Sequence, residues 1–125
     1  REMYRERRDA MVGALSEHLP DCSWTVPDGG FYTWVRLPEG LDAKEMLPRA
    51  VTARVAYVPG TAFYFDGQGA DHMRLSFCYP TPERIREGVR RLATVVSGEA
   101  ELVELFGTAG HPDTEQVQAP SPDLA

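Results

Sequence analysis

The chain has 125 residues, a formal net charge of −6 and a sequence pI near 5.0, with 42% hydrophobic and 26% charged residues. These values are typical of one ordinary globular domain, and they exclude an intrinsically disordered chain. The acidic balance argues against nucleic-acid binding, and no apolar run approaches the roughly 20 residues of a membrane span. Two cysteines, Cys22 and Cys78, are too few for a disulfide scaffold and indicate a reducing compartment, so we expect a cytoplasmic protein.

The first third of the chain predicts one helix followed by two strands. Apolar side chains recur at near-helical spacing over residues 3–19, and Pro20 ends this helix. Residues 23–26 are a short strand candidate. Residues 31–37 alternate between two faces and are rich in aromatic and β-branched side chains, which indicates a strand. The alternation allows only one of its first two residues to face the core.

The middle of the chain predicts a second helix and two further strands. Asp42 stands where an N-cap belongs, and the helix continues to about Arg54. Pro48 inside this stretch predicts a kink or a later start. Residues 55–58 predict a short buried strand, and residues 73–78 alternate as a strand does. The expected buried residues of the helix are Met46, Leu47, Ala50 and Val51.

The last helix has the clearest signals. Thr81 is expected as its N-cap and Pro82 as its first residue, and residues 99–106 add a turn or two. Residues 107–125 predict a disordered tail. The order α-β-β-α-β-β-α predicts an α+β fold over residues 1–106, a small mixed or antiparallel sheet with helices packed on it. Four apolar residues share one face of the last helix: Ile85, Val89, Leu92 and Val96.

For most of the residues that could bind a metal or phosphate or act in catalysis, the spacing in the sequence does not match a known type of site. His18, His72 and His111 are not at metal-ligand spacing, so no metal is expected. Asp71 and His72 are merely adjacent, and no G-x-S-x-G elbow accompanies them. The glycine pairs precede strands rather than helices and indicate tight turns rather than phosphate loops. Lys44, the only lysine, lies among acidic neighbours that favour its charged form, so we expect a solvated surface side chain.

Arg74 stands in the middle of a predicted strand, between Met73 and Leu75, with small residues next along its face. A charged side chain there costs desolvation unless it has a partner. One interpretation is an internal Asp or Glu partner, or a strand side that faces solvent. The other is an anion site for a small carboxylate ligand, because a planar fork of N–H donors binds a carboxylate bidentately.

Four motifs occur in a particular order: PDGGFYTWVRLP at 27–38, VAYVPGTAF at 55–63, MRLSF at 73–77 and PERIREGVRRL at 82–92. Together they resemble the C-terminal small domain of class I/II aminotransferases, fold type I enzymes that use pyridoxal phosphate. The 2-aminoadipate/kynurenine aminotransferase-like and MocR-like branch is the most similar. The resemblance implies a fragment of a longer protein, in which residues 1–19 form a helix entering from a missing large domain.

The resemblance also implies roles for particular residues. Arg74 matches the arginine that holds the α-carboxylate of the amino-acid substrate. Gly30 and Phe31 match the segment that lines the substrate side of the cleft, with Tyr32 as the alternative to Phe31. Residues 59–63 match a loop near the domain interface. The family's imine lysine and its other cofactor contacts belong to the large domain, so no catalytic residue is expected in this chain.

The expected function follows from that resemblance. The full-length protein would use pyridoxal 5′-phosphate to transfer an amino group between an L-amino acid and a 2-oxo acid, as a homodimer. This chain alone would bind no cofactor, no nucleic acid and no membrane, and would be inactive. Two alternatives stay open: the effector-sensing domain of a MocR-like transcription regulator, and a generic carboxylate-binding module.

Overall fold

The computed structural model describes residues 2–26, 30–64, 66, 68–78 and 80–106. Within these residues three α-helices, one 3₁₀ helix (η1) and four strands follow one another in the predicted order, which confirms the α+β fold. The elements are α1 (Glu2–His18), β1 (Ser23–Trp24), β2 (Tyr32–Arg36), α2 (Ala43–Thr52), β3 (Val58–Pro59), η1 (Gly60–Phe63), β4 (His72–Ser76) and α3 (Pro82–Phe106).

The four strands form one sheet in the order β1-β2-β4-β3, with antiparallel pairing between neighbours. In the central pair, Trp34 of β2 lies opposite Arg74 of β4. On the other side of β4, Val58 of β3 is also opposite Arg74. Because side chains alternate between the faces of a strand, this register decides which residues of β2 and β4 share a face.

One face of the sheet belongs to the hydrophobic core. Thr33 and Val35 of β2 and Met73 and Leu75 of β4 are all buried there. The core continues into the helices, since α1 and α3 pack against each other and contribute their apolar stripes. Burying one such side chain stabilises the fold by about 1.5–3 kcal/mol. The helix residues in this core include Met11, Leu15, Met46, Ile85, Val89, Leu92 and Val96, so the predicted face of α3 is confirmed.

Helix α2 begins as predicted, but its course through Pro48 and the burial of one residue differ from the prediction. The Asp42 side chain accepts hydrogen bonds from the backbone N–H of Lys44 (2.9 Å) and Glu45 (3.2 Å), which confirms the N-cap. The helix is continuous through Pro48, so the expectation of a later start is wrong. Val51 is 57% exposed, outside the stripe that buries Ala43, Met46 and Ala50, so its predicted burial is also wrong.

The segment at 55–58 is buried at Val55 and Tyr57 only, and little of it is strand. Only Val58 and its neighbour Pro59 pair with β4. Val55 instead donates its backbone N–H to Ala50 O (2.8 Å) at the end of α2, and the Tyr57 hydroxyl donates to Ala43 O (2.6 Å). The prediction of a buried strand over 55–58 therefore holds only in part: two of its residues are buried, and the hydrogen bond from Val55 to the end of α2 keeps the first part of the segment out of the sheet.

Helix α3 has the predicted N-cap, because the hydroxyl of Thr81 accepts a hydrogen bond from the backbone N–H of Arg84 (3.3 Å). The helix continues to Phe106. One of its residues did not stand out in the sequence: Glu99 is buried, and its carboxylate accepts two hydrogen bonds from Arg49 of α2, at 2.8 and 2.6 Å. In the described part of the chain no helix is long and apolar enough to cross a membrane. The predicted tail at 107–125 lies outside the described residues.

Candidate functional site

The face of the sheet opposite the core is basic and aromatic. It carries the residues of β2 and β4 that alternate with the buried ones, and these are half-buried or exposed. A sheet face that is not apolar does not contribute to the core and is free to bind a polar ligand. The residues of this open face are Tyr32, Trp34, Arg36, His72, Arg74 and Ser76.

Arg74 lies at the centre of the open face among aromatic rings. Its guanidinium carbon is 3.9 Å from the ring centroid of Tyr32 and 4.9 Å from that of Phe63 in η1. Phe63 is held in turn by an edge-to-face contact with Trp34, at 5.1 Å between centroids. Cation–π contacts of this kind help to hold the guanidinium in place.

The donors of Arg74 have no acceptor among the residues that the structure describes. Among the described residues it forms no ion pair with Asp or Glu, and its Nε is buried without a hydrogen-bond partner. A buried donor left unpaired on a charged group is costly, so such groups are normally satisfied by a partner. The internal acidic partner that the sequence left open finds no candidate in this part of the chain. Arg74 lies on the open face of the sheet, so a strand side that faces solvent and an anion site both remain compatible with its position.

The close approach of η1 to the start of β4 explains how Phe63 reaches Arg74. A Cβ atom on Gly60 would lie about 2.3 Å from Gly69 O and about 2.9 Å from His72 Cβ, so no side chain fits there. Gly69 itself has φ +85°, a conformation that glycine adopts without strain. Glycine at position 60 therefore allows the backbone contact that seats η1, with Phe63 at its end, over β4.

A cluster of three polar side chains, Arg36, Asp71 and His72, lies beside the aromatic residues. The Asp71 carboxylate accepts a hydrogen bond from Arg36 Nε (3.1 Å) and lies 2.7 Å from His72 Nδ1. Burial opposes ionisation of Asp71, but the hydrogen bonds from His72 and Arg36 outweigh it and lower the pKa of this carboxyl. Arg36 is thereby neutralised, unlike Arg74. Beside these groups lies a groove of about 380 Å³, lined by Ser23, Trp24, Thr25, Trp34, Arg36, Tyr64 and His72.

The structure separates the sequence-predicted site residues. Gly30 is exposed, with open space where a side chain would be. The ring of Phe31 contacts Tyr4 of α1, at 5.4 Å between centroids, and not Arg74. Tyr32 is the aromatic residue that meets the guanidinium. Phe63 was not singled out, because it lies in a predicted loop where no periodicity shows which way a side chain points.

Other reactive groups lie elsewhere. Lys44, the only lysine, is exposed in the first turn of α2, so the residues around Arg74 do not supply the lysine that a pyridoxal phosphate imine needs. Burial, with a smaller effect of Asp21, raises the pKa of the Cys22 thiol to about 11. In the described ranges no group of three or more His, Cys, Asp or Glu side chains is arranged to hold a metal ion.

Comparisons with known proteins define the class. The family model for aminotransferases of class I and II matches residues 1–92. The chain belongs to the class I and II aminotransferase family, which confirms the resemblance seen in the sequence. It is 50% identical over 99 residues to aromatic-amino-acid aminotransferase 1 of Thermococcus litoralis, and the match covers 78% of this chain and 24% of that protein.

Solved structures show the same fold. The multiple substrate aminotransferase of Thermococcus profundus matches with a TM-score of 0.78 and 50% identity, over 82% of this chain and 26% of that one. The α-aminoadipate aminotransferase of Thermus thermophilus, solved with N-(5′-phosphopyridoxyl)-L-leucine, matches with a TM-score of 0.77 and 40% identity, over 82% of this chain and 27% of that one. The chain thus spans about a quarter of the length of these relatives.

A relative of another kind also matches. An uncharacterized HTH-type transcriptional regulator of Bacillus subtilis strain 168 is 31% identical over 94 residues, which cover 74% of this chain and 19% of the regulator. The same domain therefore occurs in proteins named as enzymes and in one named as a regulator.

Proposed function

We propose that the full-length protein is a pyridoxal phosphate-dependent aminotransferase that exchanges an amino group between an L-amino acid and a 2-oxo acid. This chain supplies the arginine that binds the α-carboxylate of the substrate. The observation that carries the proposal is Arg74, a guanidinium in an aromatic setting with a buried, unpaired Nε and no acidic partner among the described residues.

Arg74 acts by orientation. Its planar donors hold the two oxygens of a carboxylate in one plane, which fixes the α-carbon of the substrate relative to the sheet. The aromatic rings around it exclude water and strengthen the ion pair. Gly30 and Phe31 are proposed to line the substrate side of the cleft, where the open space at Gly30 leaves room for a ligand. When bound, the cofactor supplies the electron sink for the reaction.

The remainder of the machinery is proposed to come from outside this chain. The only lysine lies on α2, away from the residues that surround Arg74, so the imine lysine belongs to a large domain. The chain alone is therefore inactive and carries no cofactor. In the full-length protein the partners are that large domain, a second copy in a homodimer and the small-molecule substrates.

The test is substitution of Arg74 in the full-length protein. For Arg74→Ala we expect kcat/KM for amino acids to fall about 10²-fold, because one charge-assisted bidentate contact is lost. Arg5→Ala, which removes an exposed arginine on α1, is the matched control and should change kcat/KM less than about twofold. Unchanged kinetics in Arg74→Ala would refute the proposed role, and tight amino-acid binding by the chain alone would favour a carboxylate-binding module instead.

A second candidate function is the effector-sensing domain of a MocR-like transcription regulator, which the match to the Bacillus subtilis regulator favours. In that case Arg74 would bind the carboxylate of an effector rather than of a substrate. Measuring turnover and DNA binding on the same full-length preparation separates the two functions. An amino acid that changes DNA affinity without being consumed identifies the regulator, whereas release of a 2-oxo acid identifies the enzyme.

A further inference from the structure

We propose that Tyr32 and Phe63 are positioning residues that make Arg74 select a planar carboxylate over a tetrahedral anion. The inference rests on the proposed role of Arg74 and adds a selectivity to it. It names two aromatic residues that act through Arg74, and it predicts which anions the site rejects.

The two rings reach the guanidinium from different sides of β4. Tyr32 belongs to β2, the neighbour of β4 on one side. Phe63 belongs to η1, which follows β3, the neighbour on the other side. At 3.9 and 4.9 Å from the guanidinium carbon to the ring centroids, both are within cation–π range. We call this arrangement the aromatic clamp of Arg74.

The clamp limits how a ligand can approach. The donors of a guanidinium lie in its plane, and in this proposal the two rings cover its faces, so the clamp leaves only the in-plane edge for a ligand. Nε is one of these in-plane donors and has no hydrogen-bond partner among the described residues. A carboxylate places both oxygens in the same plane and fits. A phosphonate carries a third oxygen out of that plane, toward the faces of the rings, which offer it no donor.

The clamp is held by its surroundings and not by the ligand. Phe63 packs edge-to-face against Trp34, and the backbone contact between Gly60 and Gly69 seats η1. Tyr32 and Phe63 are themselves 46% and 43% exposed, so replacing either ring removes little of the core. Variants at these two positions should therefore fold and report on the site.

The experiment compares two ligands that share a 2-phenylethyl group and differ in the anionic group, 3-phenylpropionate and 2-phenylethylphosphonate. Their dissociation constants for the full-length protein are measured by calorimetry, which requires no turnover. We expect Tyr32→Leu and Phe63→Leu to lower the ratio of the phosphonate constant to the carboxylate constant about 5- to 10-fold, because the uncovered face of the guanidinium no longer excludes the third phosphonate oxygen from a polar contact. Tyr32→Phe keeps the ring and should keep the ratio.

Two control variants separate a failure of the clamp from a failure of the proposed function. Phe106→Leu removes an exposed ring at the end of α3 and should leave the ratio unchanged. Arg74→Ala should abolish the binding of both ligands, and if it does not, the proposed function fails. If Arg74→Ala abolishes binding but both leucine variants keep the wild-type ratio, the clamp is refuted while the proposed function stands. Melting temperatures verify that each variant is folded.

Discussion

Arg54 occupies a backbone position that favours glycine. Its φ is +67°, and it is the only residue other than glycine with positive φ in the described part of the chain. The backbone N–H of Arg54 donates to Val51 O (2.9 Å) and that of Val55 to Ala50 O (2.8 Å), which closes the end of α2 in the pattern that normally carries glycine. A side chain at positive φ is strained, so Arg54 reduces the stability of the fold.

Replacing this residue should stabilise the protein. We expect Arg54→Gly to raise the free energy of unfolding by about 0.5–1 kcal/mol, because the relief of strain exceeds the entropy that glycine adds to the unfolded chain. Ala53→Gly is the matched control, because Ala53 has an ordinary φ of −83° and gains only the entropy penalty. Urea unfolding compares them, and a destabilised Arg54→Gly would contradict the strain argument.

For single residues, the sequence predicted the position of Arg74 on its strand but not the aromatic residues that surround it. Alternation placed Arg74 and the neighbouring buried residues on opposite faces, which the structure confirms. It offered Phe31 and Tyr32 as alternatives, and only the strand register shows that Tyr32 meets the guanidinium. Phe63 was beyond prediction, because its position depends on a backbone contact between residues 60 and 69 that no local pattern encodes.

Helices α2 and α3 are joined by one ion pair of unequal burial. The Glu99 side chain is 4% exposed and the Arg49 side chain 51%, and two hydrogen bonds link them. Removing the arginine leaves a buried carboxylate without a partner, whereas removing the glutamate leaves a guanidinium that water can reach. The energetic cost of the two deletions should therefore differ.

The asymmetry can be measured. We expect Arg49→Leu to lower the free energy of unfolding by about 3 kcal/mol and Glu99→Leu by about 1 kcal/mol or less, since leucine also suits a buried site. Urea unfolding of both variants and of the double variant separates the pair from its members. Equal losses in the two single variants would show that the burial of Glu99 does not decide the cost.

Elements with explicit start signals were predicted well, as the caps at Asp42 and Thr81 show. Elements that depend on a distant partner were not. The segment at 55–58 has the composition of a buried strand, yet the end of α2 uses its first N–H and only Val58 reaches the sheet. The Arg49–Glu99 pair was missed for a similar reason, because the two residues are far apart in the sequence and become neighbours only when α2 packs on α3.

At the scale of the molecule, α1, the sheet, α2 and α3 all contribute to one core within the described residues. Cys22 belongs to it, at 7% exposure, in the turn between α1 and β1. Burial raises the pKa of its thiol to about 11, so the reactive thiolate is scarce in the folded state near neutral pH. Cys22 can therefore report when the core opens.

Alkylation of Cys22 should follow unfolding. In a Cys78→Ser variant we expect iodoacetamide to modify the native protein at least about 100-fold more slowly than the urea-unfolded protein, because the thiol must first be exposed. Mass spectrometry of the modified fraction over time measures both rates. The reverse variant, Cys22→Ser, keeps the half-buried Cys78 as the control. Similar rates for native and unfolded Cys78→Ser would mean that the core around Cys22 opens readily.

The interleaving of the two faces along β2 and β4 has a consequence for evolvability. Residues that bury into the core alternate with residues that present the open face, so the two sets accept mutations independently although they are adjacent in sequence. A combinatorial library that varies Arg36, His72 and Ser76 while keeping Thr33, Val35 and Met73 would explore new ligand preferences on an unchanged core. Adaptation to a new small molecule can therefore proceed by single substitutions without a compensating change in the core.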